Sequence, residues 1–231
     1  MMKTIGLIGG MSWESTASYY QLINQGVKQK LGGLHSAKLV LVSVDLAEIE
    51  TLQHQGDWQK TAHILSAAAK SLEAAGADFF LICTNTMHKV ASQVSDAVSI
   101  PLLHIADATG AQLVADQMKS IGLLGTKFTM QQSFYKNRLI DEFSIDVLLP
   151  TDFEQDIIHR VIYEELCLGI VDEKSRIQYL HIIQNLAQRG AQGIILGCTE
   201  IGLLMHKNDT TSKLYDTTRI HAQAAVAYSL K

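Results

Sequence analysis

Displaced by about half its length, the chain matches itself. Ile5-Gly6-Leu7-Ile8-Gly9 recurs as Ile121-Gly122-Leu123-Leu124-Gly125, and at the same offset Tyr19 falls on Tyr135. Leu72-Glu73-Ala74-Ala75-Gly76-Ala77 returns as Leu186-Ala187-Gln188-Arg189-Gly190-Ala191, and each copy runs on into an apolar segment and then a polar cluster. A third, looser pair sets Leu103 with Ala111-Gln112 against Leu214 with Ala222-Gln223. Three blocks in one order imply two copies of one folding unit, because a chance local match does not preserve order.

Within the first copy, short β-branched and leucine-rich segments at 4–8, 38–44, 78–82 and 102–105 alternate with helical stretches at 15–30 and 58–75. Such alternation predicts an α/β fold with a mainly parallel sheet and crossover helices. Gly76 supplies a stop for the second helix, and Pro101 and Pro150 fall at element boundaries. Ligands of open α/β sheets bind at the carboxyl ends of the strands. If the two copies face each other about a pseudo-twofold axis, their equivalent loops meet in one cleft. The expected division is residues 1–102 plus 210–231 for the first domain and 103–209 for the second.

The chain has 231 residues, 47% hydrophobic and 18% charged, enough apolar material for one large or two small cores. Its net charge of -4 and scattered basic residues leave no footprint for nucleic acid. No apolar run reaches the roughly 18 residues of a membrane span. The opening Met1-Met2-Lys3-Thr4-Ile5-Gly6 lacks the apolar core and cleavage site of a secretory leader. Three cysteines, an odd number, argue against a disulfide framework. The expected location is therefore the cytoplasm.

Setting Gly76 on Gly190 places Thr84 opposite Cys198, Asn85 opposite Thr199 and Thr86 opposite Glu200. Two polar loops, 83–86 and 197–200, thus occupy equivalent positions after equivalent strands. Gly9-Gly10-Met11-Ser12, the Asn85-Thr86 pair and Gly197-Cys198-Thr199-Glu200 resemble the motifs of the aspartate/glutamate racemases, and the resemblance spans essentially the whole chain. It implies two similar Rossmann-like, doubly wound domains with the active site in the cleft between them. It also implies a homodimer and a small amino-acid or related carboxylate substrate. Neither pyridoxal phosphate nor a metal takes part in the chemistry of that family. Its members set one cysteine from each half on opposite faces of the substrate α-carbon, one thiolate taking the proton and the other thiol returning one.

Cysteine suits this work because its reference pKa of about 8.5 lies near working pH, so a modest perturbation makes either a base or an acid of it. The resemblance assigns Cys198 as the base toward L-amino acids. Around it, Met11, Ser12, Asn85, Thr86 and Thr199 would line the site, their amides and hydroxyls stabilising charge as the proton leaves. Thr126 and Thr129 are either carboxylate contacts or helix caps. Glu200 either supports Cys198 or caps the next helix. Gln53 is a candidate hydrogen-bonding partner for a distal carboxylate, since neither 49–53 nor 164–169 offers an arginine or lysine.

At one critical place the chain departs from the family. Where the pattern is Cys-Asn-Thr, this chain reads Thr84-Asn85-Thr86, with its cysteine one residue earlier. A one-residue shift along a strand turns a side chain to the other face, so Cys83 is expected to point away from the site. A threonine hydroxyl is too weak an acid to become a base near neutral pH, which leaves Cys198 as base and Thr84 as a hydroxyl able to deliver or relay a proton. The asymmetry predicts faster activation of L- than of D-substrates.

Alternatives stand beside this reading. Cys83 and Cys167 read as small buried hydrophobes. The glycines at 6, 9 and 10 make either a tight turn or a dinucleotide site, though their spacing is not Gly-x-Gly-x-x-Gly. Histidines 35, 54, 63, 88 and 104 lack metal-ligand spacing; His88 either tunes the site or packs. Other single-cysteine reactions of the same superfamily (hydantoin racemisation, maleate isomerisation, malonate decarboxylation) fit the loops, as does a non-catalytic carboxylate-binding protein.

Overall fold

The computed structural model describes residues 2–231; Met1, which begins the opening segment read above, lies outside them. In chain order the elements are β1 (Ile5–Gly9), α1 (Trp13–Leu31), β2 (Leu39–Ser43), α2 (Leu46–Gln55), α3 (Trp58–Ala74), β3 (Phe79–Ile82), a 3₁₀ turn (Thr86–Val90), α4 (Ala91–Ser95) and α5 (Ile105–Ala115). There follow β4 (Ser120–Leu124), α6 (Lys127–Gln131), α7 (Ser133–Phe143), β5 (Asp146–Leu148), α8 (Asp152–Glu164), a second 3₁₀ turn (Leu166–Leu168) and α9 (Glu173–Gln188). β6 (Gly193–Leu196), α10 (Ile201–Leu204), β7 (Lys213–Asp216) and α11 (Thr217–Ser229) complete the chain. Among the described residues no helix is long and apolar enough to cross a membrane.

The chain divides into two compact units, residues 1–105 with 221–231 and residues 106–220. The first holds a parallel sheet in the order β2-β1-β3, extended by an isolated parallel bridge from Phe80 to Leu102. The second holds a parallel sheet in the order β5-β4-β6-β7. The registers restate the sequence repeat: Gly6 lies opposite Phe80 as Gly122 lies opposite Ile194.

Two expectations are corrected here. The fourth segment of the first copy, 102–105, is not a strand: it pairs only at Leu102, and Ile105 already begins α5. Its equivalent in the second copy is a full strand, β7, in which Leu214 pairs with Ile194, so Leu102 rather than Leu103 is the counterpart of Leu214. Because β7 pairs with β6, residues 210–220 belong with the second unit instead of the first, and α11 alone returns to the first from His221 onward. Likewise, residues 106–115 of α5 pack in the second unit, with Gly110 against the Phe143 ring and Tyr135 donating to Thr109 Oγ1 at 3.5 Å.

Along β1 and β3 both faces of the first sheet are buried, which is why these strands read as continuous apolar runs rather than as alternating ones; the edge strand β2 is partly exposed. Ile8, Phe80 and Ile82 pack with Leu65, Ala69 and Leu72 of α3. On the other face Ile5, Leu7, Phe79, Leu81 and Cys83 pack with Tyr19, Ile23 and Val27 of α1 and Ala222, Ala225 and Val226 of α11. The buried positions of α1, Thr16, Tyr19, Ile23 and Val27, recur at helical spacing, and each fully buried large apolar side chain contributes roughly 1.5–3 kcal/mol. The repeated glycines have a packing reason. A Cβ on Gly6 would sit 3.0 Å from Leu72, and one on Gly122 would sit 3.0 Å from Leu186, the leucine at the same place in the second copy. The two strongest repeat blocks therefore touch within each unit, glycine strand against leucine helix.

Candidate active site

In the first unit the polar candidates gather at the carboxyl ends of β1 and β3. β1 leaves its sheet through Gly10, where φ is +89° and a Cβ would lie 2.0 Å from the Val44 carbonyl, so only glycine makes this turn. The Gly10 N–H donates to Thr16 Oγ1 at 2.8 Å, and Ser12 Oγ caps α1 by accepting from the Ser15 N–H at 3.3 Å. Ser15, which the sequence reading passed over, donates its hydroxyl to the Cys83 carbonyl at 3.1 Å and so ties the start of α1 to the Thr84 loop. Its signal is its place three residues after a helix cap. Met11 is 5% exposed and belongs to the core beneath this loop.

Thr84 is half-buried, while Asn85 and Thr86 are buried at the head of the 3₁₀ turn. Cys83 lies wholly within the apolar layer between sheet and helices, where burial pushes its thiol far above the usual range. The alternation of Ile82 and Cys83 between the two core layers is the face change expected from the one-residue shift. Gln53, buried on α2, donates its amide to the Met87 sulfur at 2.9 Å, one residue beyond Thr86. A thioether is a weak acceptor, so a stronger one on a ligand can draw this amide away.

In the second unit the loops after β4 and β6 lie side by side. The Gly197 N–H donates to the Leu124 carbonyl at 2.6 Å. Thr126 caps α6, its hydroxyl accepting from the Thr129 N–H at 3.3 Å and lying 3.3 Å from Thr129 Oγ1. Cys198 and Thr199 are half-buried, and Glu200 is 4% exposed. Glu200 stands at the cap position of α10 but makes no capping bond. Its Oε2 instead accepts from Cys198 Sγ at 2.8 Å and from the Thr199 hydroxyl at 2.6 Å.

That carboxylate acts on the thiol. Burial first, and the negative charge of Glu200 next, push the Cys198 thiol well above the usual thiol range rather than slightly off it. The thiol is therefore protonated at neutral pH, with an acceptor for its proton already in place. Replacing Glu200 by glutamine removes the charge that disfavours the thiolate, so the pH midpoint for iodoacetamide alkylation of Cys198 is expected to fall; an unchanged midpoint would show that Glu200 does not act on the thiol.

Cys167, read above as buried, is half-exposed at the 3₁₀ turn that packs against α10, and it is electrostatically coupled to Cys198. In the region searched for a distal cation, Arg160 of α8 reaches Glu165 Oε1 at 3.0 Å. The sequence search missed it because it began at Glu164, one helical turn too late. Among the described residues no cluster of histidine, cysteine and carboxylate side chains is arranged to hold a metal ion.

Comparison with known proteins gives a consistent result. The Asp/Glu/Hydantoin racemase profile matches residues 8–225. A solved Yersinia pestis structure, provisionally described as an Asp/Glu racemase, is 55% identical, with 100% of each chain covered and a TM-score of 0.93. An aspartate racemase homologue from Pyrococcus horikoshii OT3 is 32% identical, again with 100% of each chain covered, at a TM-score of 0.86. The broad specificity amino-acid racemase RacX of Bacillus subtilis (strain 168) is 22% identical over 96% of this chain and 96% of its own.

Proposed function

Because the chain belongs to the Asp/Glu/hydantoin racemase family, we propose that it interconverts amino-acid enantiomers without a cofactor, Cys198 serving one face of the α-carbon and the Thr84 hydroxyl the other. It is an isomerase of the racemase type. The observation that carries the residue assignment is the Cys198 Sγ–H donating to the buried Glu200 carboxylate. A thiol held protonated beside a carboxylate is a base in waiting: the proton passes to Glu200, and the thiolate takes the α-proton of an L-amino acid.

The ammonium group of the arriving substrate lowers the cost of that transfer by stabilising the thiolate that forms, provided it lies nearer the sulfur than the carboxylate. As the α-proton leaves, charge moves onto the substrate carboxylate, which the hydroxyls and amides of Ser12, Asn85, Thr86, Thr126, Thr129 and Thr199 stabilise. The Thr84 O–H then gives its proton to the opposite face; a water reprotonates the Thr84 oxygen, and the hydroxide that remains takes the proton held by Glu200, which closes the cycle with the α-proton on Cys198. Run backwards, this step asks a threonine to act as base, so D-isomers exchange their α-hydrogen with solvent more slowly than L-isomers.

The distal group sets the substrate range. Gln53 offers an amide donor, and Arg160 is already engaged by Glu165. A bidentate clamp for a second carboxylate is therefore weak, which favours a range broader than aspartate and glutamate. Incubation with a panel of L- and D-amino acids in heavy water tests the whole reading. The expected result is α-deuterium entering L-isomers faster than D-isomers; equal rates would remove the Cys198/Thr84 asymmetry. Exchange with hydantoins alone would move the activity to another branch of the same family.

A further inference from the structure

Behind the Thr84 loop lie three buried histidines that the mechanism does not use: His88, His104 and His221, at 3%, 8% and 0% exposure. The bonding of His88 defines its proton. Its Nε2 accepts from the Ile105 N–H at 3.2 Å, a group that can only donate. Its Nδ1 faces the Thr84 carbonyl at 2.8 Å, a group that can only accept. The ring is thus the neutral tautomer with hydrogen on Nδ1, and neither nitrogen can change role without breaking a bond. His104 packs edge-on against it with centroids 4.4 Å apart, and His221 lies at 6.0 Å. His221 is itself held, its Nε2–H donating to the Leu103 carbonyl at 2.7 Å and its Nδ1 lying 2.8 Å from the Tyr19 hydroxyl.

We propose that His88 is the positioning residue for the Thr84 face: its Nδ1–H pins the Thr84 carbonyl and so aims the Thr84 hydroxyl and the Asn85 N–H. The argument is peptide geometry. In a planar trans peptide the carbonyl and the next N–H point in opposite directions, so drawing the Thr84 carbonyl onto His88 turns the Asn85 N–H away from it. The bracing is rigid because His88 is gripped from both nitrogens and backed by two further rings. An imidazole is needed rather than an apolar side chain because two backbone groups, the buried Ile105 N–H and the part-buried Thr84 carbonyl, must be satisfied at once.

This inference rests on the assignment of Thr84 to proton return, and the test separates the two. The substrate is whichever L-amino acid the wild type exchanges fastest in the panel above. In heavy water, the rate of inversion to the D-isomer is divided by the rate of α-deuterium appearance in recovered L-isomer. That ratio reads the Thr84 face against the Cys198 face on the same molecules, so loss of folded protein cancels. His88→Asn keeps a donor where Nδ1 stands and gives up the Ile105 bond; His88→Gln keeps an acceptor where Nε2 stands and gives up the donor. The ratio is expected to fall about tenfold or more in His88→Gln and to stay within about twofold of wild type in His88→Asn. An unchanged ratio in His88→Gln, or an equal fall in both variants, overturns the proposal. Thr84→Ala is the control. If it leaves the ratio unchanged, the Thr84 assignment itself fails; if it lowers the ratio while His88→Gln does not, only the positioning role fails.

Discussion

Cys198→Ala is expected to lose α-hydrogen exchange from every L-amino acid that the wild type accepts, by about 10²- to 10⁴-fold, the range that a positioned general base contributes. The neighbouring loop groups are poor substitutes for a thiolate. Thr199 and Thr126 are hydroxyls, and the Glu200 carboxylate that accepts the thiol proton is held by the Thr199 hydroxyl as well. Stability is a separate quantity and is expected to change little. Cys198 as a residue is half-buried, and shortening it by one sulfur costs about 1 kcal/mol or less. Thermal unfolding and proton NMR of α-deuterium uptake, measured on the same preparation, separate the two effects. Exchange above a tenth of the wild-type rate in the alanine variant would place the base elsewhere.

Thr84→Cys is expected to have the opposite sign. It restores the family's pattern of one thiol from each half and raises exchange from D-amino acids by about 10²-fold or more, because a thiol ionises far more readily than an aliphatic hydroxyl. Nothing in the loop resists the change: Thr84 is half-buried, and its carbonyl, not its side chain, makes the bond to His88. Exchange from L-isomers is expected to persist, since Cys198 is untouched. A variant that folds, keeps its L-activity and shows no gain with D-isomers would mean that residue 84 does not face the α-carbon.

Much of this was readable along the chain because the signals are local. The pairing of Gly6 with Leu72 and of Gly122 with Leu186 is written twice, so the repeat itself reports which helix lies on which strand. The rotation of Cys83 into the core followed from period-two alternation, and the break after α3 from a glycine at φ +86°. Hydrogen bonds between near neighbours, which sequence patterns do not rank, add two local details. Thr126 is a cap, while Glu200, at a cap position, bonds sideways to Cys198 and Thr199.

What residue order alone determined, then, is two copies of a βα unit, the loops that carry the polar groups and the loss of one thiol at residue 84. Only the tertiary structure decided that 102–105 collapses to a single bridge while 213–216 becomes a full strand, and that the Cys198 thiol is raised rather than lowered. It also decided that Tyr19, His88, His104 and His221 form one contacting group, joined by the Tyr19–His221 hydrogen bond and edge-on ring contacts. The reason is range: periodicity reports contacts within a few residues, whereas the pKa of a buried thiol and the pairing of Tyr19 with His221, 202 positions apart, depend on groups that meet only after folding.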